Sequence, residues 1–132
     1  MYKQAIVAAT VFGMLAVILG AFGAHALKEK LDPELLNTFE TGVKYQIYHA
    51  IVLIGVGLLF AHNPSAWFAR ATWMFVIGII LFSGSIYALV AMKHAGSVGL
   101  KGFGILTPVG GLFMILGWIF TLMGALTTVQ KS

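Results

Sequence analysis

Cysteine is absent from this 132-residue chain, and acidic residues are scarce: Glu29, Asp32, Glu34 and Glu40 are all there are. Without a thiol there is no disulfide, lipoprotein anchor, thiolate metal site or cysteine nucleophile. Without an acid in any apolar stretch, the chain lacks the carboxylate that proton-coupled carriers usually place inside a span. Charge of either sign is low, at 9% of residues against about 25% in an ordinary soluble domain. No glycine-rich phosphate loop of the GxxxxGK type occurs. What fills the chain instead is apolar, 60% of residues against about 45–50% in a soluble protein. Together with a mean hydropathy of +0.97, this excludes a soluble globule, a disordered chain and a nucleic-acid-binding domain.

A hydrocarbon core about 30 Å thick needs roughly 20 apolar helical residues to cross it. Four stretches qualify, at about 5–24, 45–61, 71–92 and 108–129. Barrel strands would show alternation over about 10 residues rather than continuous runs of this length. The expected fold is all-α: a four-helix transmembrane bundle forming a single transmembrane domain over 1–132. All four acids and three of the eight basic residues lie between Lys28 and Lys44. There Asp32 and Pro33 predict a helix start. Leu35, Leu36, Phe39 and Val43 recur at spacings of 3 and 4, so a short amphipathic helical extension precedes the second span. Ala24-His25-Ala26 matches a signal-cleavage pattern, but the apolar run before it exceeds the roughly 7–15 residues of a signal peptide. The segment is expected to remain as the first span.

Lys28, Lys30, Lys44, Lys93 and Lys101 fall on one side, against Lys3, Arg70 and Lys131 on the other. That bias predicts cytoplasmic first and third loops with both termini outside. The net charge of +4 suits a protein lying against anionic lipid and calls for no nucleic acid.

Helix contact inside lipid relies on small residues that let backbones approach. The first span carries Ala9, Gly13, Ala16, Gly20 and Ala24 at spacings of 3 and 4, the third carries Gly78, Gly84 and Ala88, and the fourth repeats Gly110, Gly117 and Gly124. Gly13, Gly20, Ala24, Gly84, Gly110, Gly117 and Gly124 are the expected packing positions.

Polar residues collect where the first span ends, the second begins, the third ends and the fourth begins. They are His25, then Tyr45, Gln46 and His49, then Ser83, Ser85 and Tyr87, and finally Thr107. Polar groups at membrane depth are a site hypothesis by default. Each also has a structural explanation: His and Tyr anchor at interfaces, Ser bonds back to its own helix, and Thr107 before Pro108 suits an N-cap. Two histidines from different helices would permit haem or metal ligation, but only Glu40 is available as an orienting carboxylate. Ser83 or Ser85 with His49 lacks a third catalytic member. No catalytic residue, metal ligand or cofactor is therefore assigned.

The run Gly20-Ala21-Phe22-Gly23-Ala24-His25, Thr41-Gly42 with Tyr45-Gln46 and His49, Leu81-Phe82-Ser83-Gly84-Ser85 with Tyr87, and Thr107-Pro108-Val109-Gly110-Gly111 before Gly117-Trp118 resemble the YgdD/YwdK-like family of small bacterial membrane proteins. The resemblance covers nearly the whole chain. It implies a multi-pass protein of the plasma (inner) membrane of a bacterium, and it carries no reaction, cofactor or catalytic residue. The expected role is a non-enzymatic accessory or structural membrane component. Its expected partners are membrane lipids and, as a candidate assembly, a homo-oligomer or larger membrane complex. The alternative is a small ligand-, lipid- or ion-binding or transport module using the polar face, with haem or metal binding behind it.

Overall fold

The computed structural model describes residues 2–96 and 101–131. The described residues are almost entirely helical, and four helices are long and apolar enough to cross a membrane. The first, α1, is Lys3–Phe22. A wide π turn at Gly23–Leu27 and a last turn at Lys28–Lys30 carry it on as one 28-residue rod, further than the expected end at residue 24. The chain breaks only at Leu31 and Asp32. Asp32 then caps α2 (Pro33–His62) by accepting from the Leu35 backbone N–H at 2.9 Å, with Pro33 in the first turn. The amphipathic extension and the second span are thus a single helix, with Leu31, Phe39, Ile86 and Val90 forming a small core beneath it.

Ser65 caps α3 (Ala66–His94), its hydroxyl accepting from the Trp67 N–H at 3.2 Å. The helix stops where Gly96 takes φ +77°, the left-handed conformation that suits glycine, and donates to the Lys93 carbonyl at 3.1 Å. The fourth helix, α4 (Lys101–Lys131), starts earlier than the residue 108 expected from hydropathy. Pro108 lies inside it. A proline ring presses on the carbonyl four residues back, and that residue is Gly104, around which there is open space. Thr107 is therefore no N-cap: it is a helical residue with its side chain free to reach a neighbour.

Sequential spans pack antiparallel, and the glycines set their registers. Between α1 and α2, a Cβ on Gly57 would stand 2.8 Å from Ile6, one on Gly20 3.4 Å from Val43 and one on Gly13 3.9 Å from Ala50. Between α3 and α4 the fit is tighter. Gly117 faces the Phe75 ring and Gly124 the Phe68 ring, where a Cβ would stand 2.6 Å and 2.5 Å away, and Gly110 lies against the Phe82 backbone. Gly78 reciprocates from α3 by receiving Met114. Phe68, Phe75 and Phe82 share the seven-residue period of the three α4 glycines, so each ring or backbone turn fills one vacancy along the seam. The stripes do not run as far as the sequence suggested: Ala24 is exposed, and Gly84 meets nothing within 4 Å.

The packed pairs are α1 with α2, α2 with α3 and α3 with α4; among the described residues α1 and α4 have almost no contact. The α3 faces explain why. Phe68, Phe75 and Phe82 point to α4, whereas Trp73, Val76 and Ile80 line the grooves toward α1. The two outer helices thus lie on opposite sides of the α2–α3 pair. The result is an open, Z-shaped arrangement whose main core is Leu53, Val56, Phe68, Phe75, Ile79 and Met114.

Candidate functional site

The depth of the polar cluster follows from one hydrogen bond. The Gln46 Nε2 donates to the Phe12 carbonyl at 2.9 Å. Phe12 lies about 13 Å of helix beyond Lys3 and about 24 Å before Lys28, within about 6 Å of the middle of a hydrocarbon core 30 Å thick. Gln46 and His49 are therefore well inside the membrane rather than at its face, and both are buried. Lipid supplies no hydrogen-bond partner there, so an unpaired polar group would cost several kcal/mol.

The cluster meets that demand with protein atoms. The Tyr87 hydroxyl donates to Gln46 Oε1 at 2.7 Å, so the Gln46 amide joins α1, α2 and α3. The Ser83 hydroxyl donates to the Gly42 carbonyl at 2.7 Å, close to where Gly42 lies under Ile86 and Tyr87. Ser85 donates to the Phe82 carbonyl at 2.9 Å. Its single proton is thereby used, so in the 2.6 Å contact between Ser85 and Thr107 the Thr107 hydroxyl is the donor. This ties α3 to α4. Among the described residues no buried side-chain nitrogen or oxygen lacks a partner.

His49 is held at both ring nitrogens. Its Nδ1 lies 2.8 Å from the Tyr45 carbonyl, which only accepts, and its Nε2 lies 3.2 Å from Trp118 Nε1, which only donates. The ring is thus the neutral Nδ1–H tautomer, joining α2 to α4. Phe75 stands 5.5 Å from its centroid and Trp118 6.0 Å.

Two of the eight expected site residues stay outside this network. His25 is exposed on the π turn, and the Tyr45 side chain is 42% exposed on the α2 surface. His25 and His49 therefore do not converge as a ligand pair, and among the described residues no three His, Cys, Asp or Glu side chains come together. Ser83 and Ser85 bond to carbonyls and Thr107, not to His49, so that histidine activates neither hydroxyl.

Sequence reasoning missed Trp118. Its signal was its place in mid-span, since membrane tryptophans ordinarily sit at the interfaces. The carbonyls of Phe12 and Gly42 had no signal, because any residue provides one. Three clefts open sideways toward lipid. One of about 320 Å³ lies between α2 and α4, lined by Tyr45, His49, Phe82, Gly111, Met114 and Trp118. The others lie between α1 and α3: about 550 Å³ beside Val7, Phe12 and Trp73, and about 240 Å³ bordered by Gln46, Ile80 and Tyr87.

Comparison with known proteins adds a family. Residues 19–111 match the family described as protein of unknown function (DUF423), a stretch that takes in Gln46, His49, Ser83, Ser85, Tyr87 and Thr107. The UPF0382 inner membrane protein YgdD of Escherichia coli is 34% identical over 124 residues, covering 94% of this chain and 90% of that one. A UPF0382 membrane protein of Staphylococcus aureus is 36% identical over 121 residues, covering 92% and 93%. No solved structure is significantly similar.

Proposed function

The chain belongs to the DUF423 family, and we propose that it acts as a non-enzymatic structural or accessory component of the membrane, its polar cluster serving to lock its own helices. Four spanning helices and an inner-membrane relative put it, multi-pass, in the bacterial plasma membrane. The observation that carries the proposal is the Gln46 amide, engaged on both sides by the Phe12 carbonyl and the Tyr87 hydroxyl. A reactive site keeps polar atoms free for substrate, whereas here the buried ones are bonded to the protein. Acids that would serve as general bases all lie in the 29–40 segment and are exposed, whereas Ser83, Ser85 and His49 are buried.

An open arrangement with few contacts between its outer helices has a use for such bonds. Apolar packing against a neighbour gains little where the alternative is lipid. Directional bonds and glycine seams then specify which helix goes where. The partners this reading implies are the surrounding lipids and, on the lipid-facing flanks of α1 and α4, another membrane protein or a second copy.

A double-mutant cycle on Gln46→Leu and Tyr87→Phe tests it. Measured by reversible unfolding in mixed micelles, the pair should show a coupling of about 0.6 kcal/mol, and at most about 1.7. Strictly additive effects, or variants as stable as the parent, would remove the packing role.

A further inference from the structure

The cleft between α2 and α4 holds a polar group that the packing network leaves unused. Tyr45 is adjacent to Gln46 and so lies at nearly the same depth. Its ring stacks on His49 with planes 14° apart and centroids 6.2 Å apart, and it leans on Phe82 at 4.9 Å. Its backbone carbonyl accepts the hydrogen bond from His49 Nδ1–H. Its hydroxyl has no hydrogen-bond partner among the described residues. Exposure in this part of the molecule means exposure to hydrocarbon, where an unpaired hydroxyl carries the same penalty as one buried in a core.

The walls around that hydroxyl are flat and aromatic. Trp118 stands across the cleft, edge-on to Phe75 at 5.7 Å and fixed by its bond to His49. Gly111 leaves the α4 side open, since a Cβ there would come no nearer than 3.9 Å to the Phe82 ring. A volume of about 320 Å³ is near the lower end for small-molecule sites, which are typically apolar with a few placed polar groups. That space admits a head of one or two fused rings.

We propose that this cleft binds a lipid-soluble quinone, its ring between Tyr45 and Trp118 and one carbonyl oxygen accepting from the Tyr45 hydroxyl. Planarity suits the aromatic walls. A carbonyl at the ring edge supplies the acceptor that Tyr45 lacks. The lateral opening lets a hydrophobic tail remain in the bilayer. No electron transfer is implied, and the site goes beyond the packing role: the Gln46–Tyr87 bond and this cleft lie on different faces of the α2–α3 pair.

The test uses the full chain in phosphatidylcholine vesicles, with Trp67→Phe and Trp73→Phe so that Trp118 is its one remaining tryptophan, excited selectively over tyrosine and titrated with ubiquinone-1. Saturable quenching is expected. Tyr45→Phe should weaken the apparent affinity about three- to tenfold, the loss of one hydrogen bond, without lowering the unfolding midpoint of the quinone-free protein. Gly111→Leu should abolish saturation by filling the cleft. Quenching that only rises linearly with quinone would overturn the proposal, as would saturation unaltered in both variants. Equal displacement of ubiquinone-1 by palmitate would also overturn it, since the cleft would then be an acyl-chain groove. None of these results depends on the Gln46–Tyr87 coupling, so the two proposals fail separately.

Discussion

At His49 the two ring nitrogens face opposite demands, and this decides its protonation state. A backbone carbonyl requires a proton on Nδ1, while the Trp118 indole N–H requires a lone pair on Nε2. A charged imidazole would leave an N–H facing another N–H inside the hydrocarbon. In labelled protein, nitrogen NMR should therefore report a protonated Nδ1 and a bare Nε2 for His49. Trp118→Phe should loosen that preference and lower stability by about 1 kcal/mol, an ordinary hydrogen bond's worth. An Nε2–H tautomer in the parent would contradict the arrangement. The same geometry weakens a metal or haem role for this residue, because the nitrogen that would ligate is already bonded to Trp118.

Between elements, the decisive feature is what stands opposite each glycine. Gly117 faces the Phe75 ring, Gly110 faces the Phe82 backbone, and Gly84 faces open space. An added methyl group therefore has three different consequences. Gly117→Ala should destabilise by about 1–3 kcal/mol, the usual cost of overpacking. Gly110→Ala should cost at least as much, because backbone yields less readily than the end of a side chain. Gly84→Ala should be neutral or slightly stabilising, since alanine is the better helix former. Thermal unfolding of the three variants in one detergent ranks them, and a loss at Gly84 equal to that at Gly117 would contradict the seam. The seven-residue period of Gly110, Gly117 and Gly124 was legible in the sequence; that Phe68, Phe75 and Phe82 occupy the same period on α3 becomes meaningful only once the two helices are known to be antiparallel neighbours.

For the whole molecule, the open arrangement makes a prediction that a closed bundle would not. The absence of cysteine provides a clean background for engineered disulfides. A Cβ on Gly13 would stand 3.9 Å from the Ala50 Cβ, inside the range for a disulfide of about 3.5–4.5 Å. Gly13→Cys with Ala50→Cys should thus oxidise to an intramolecular bridge that speeds the chain on denaturing gels. Cysteines placed at Val17 and Leu116, both lipid-facing on the outer helices, should not bridge within one chain. Efficient α1–α4 bridging in a monomer would show the ring of helices to be closed.

The number of spans, their all-helical character and the start of α2 were determined by sequence alone, because each rests on local chemistry. Runs of uncharged residues must find a membrane, and Asp32 before Pro33 must cap. The polar residues Gln46, His49, Ser83, Ser85, Tyr87 and Thr107 could likewise be named in advance, since hydrogen-bonding groups stand out against an apolar background. Their depth could not. Hydropathy put the second span's start at Tyr45, whereas pairing with Phe12 puts Gln46 near mid-membrane, and that pairing depends on the register of α2 against α1. His25 shared the composition of the cluster but not its face, because it lies two residues past buried Gly23, about half a turn of helix from the buried stripe of Ala9, Ala16 and Gly23. The tertiary structure alone decided which polar atoms meet, which glycines receive a neighbour, and that Tyr45 is left with a hydroxyl toward lipid. Register and facing are properties of helix pairs, and no single helix's sequence contains them.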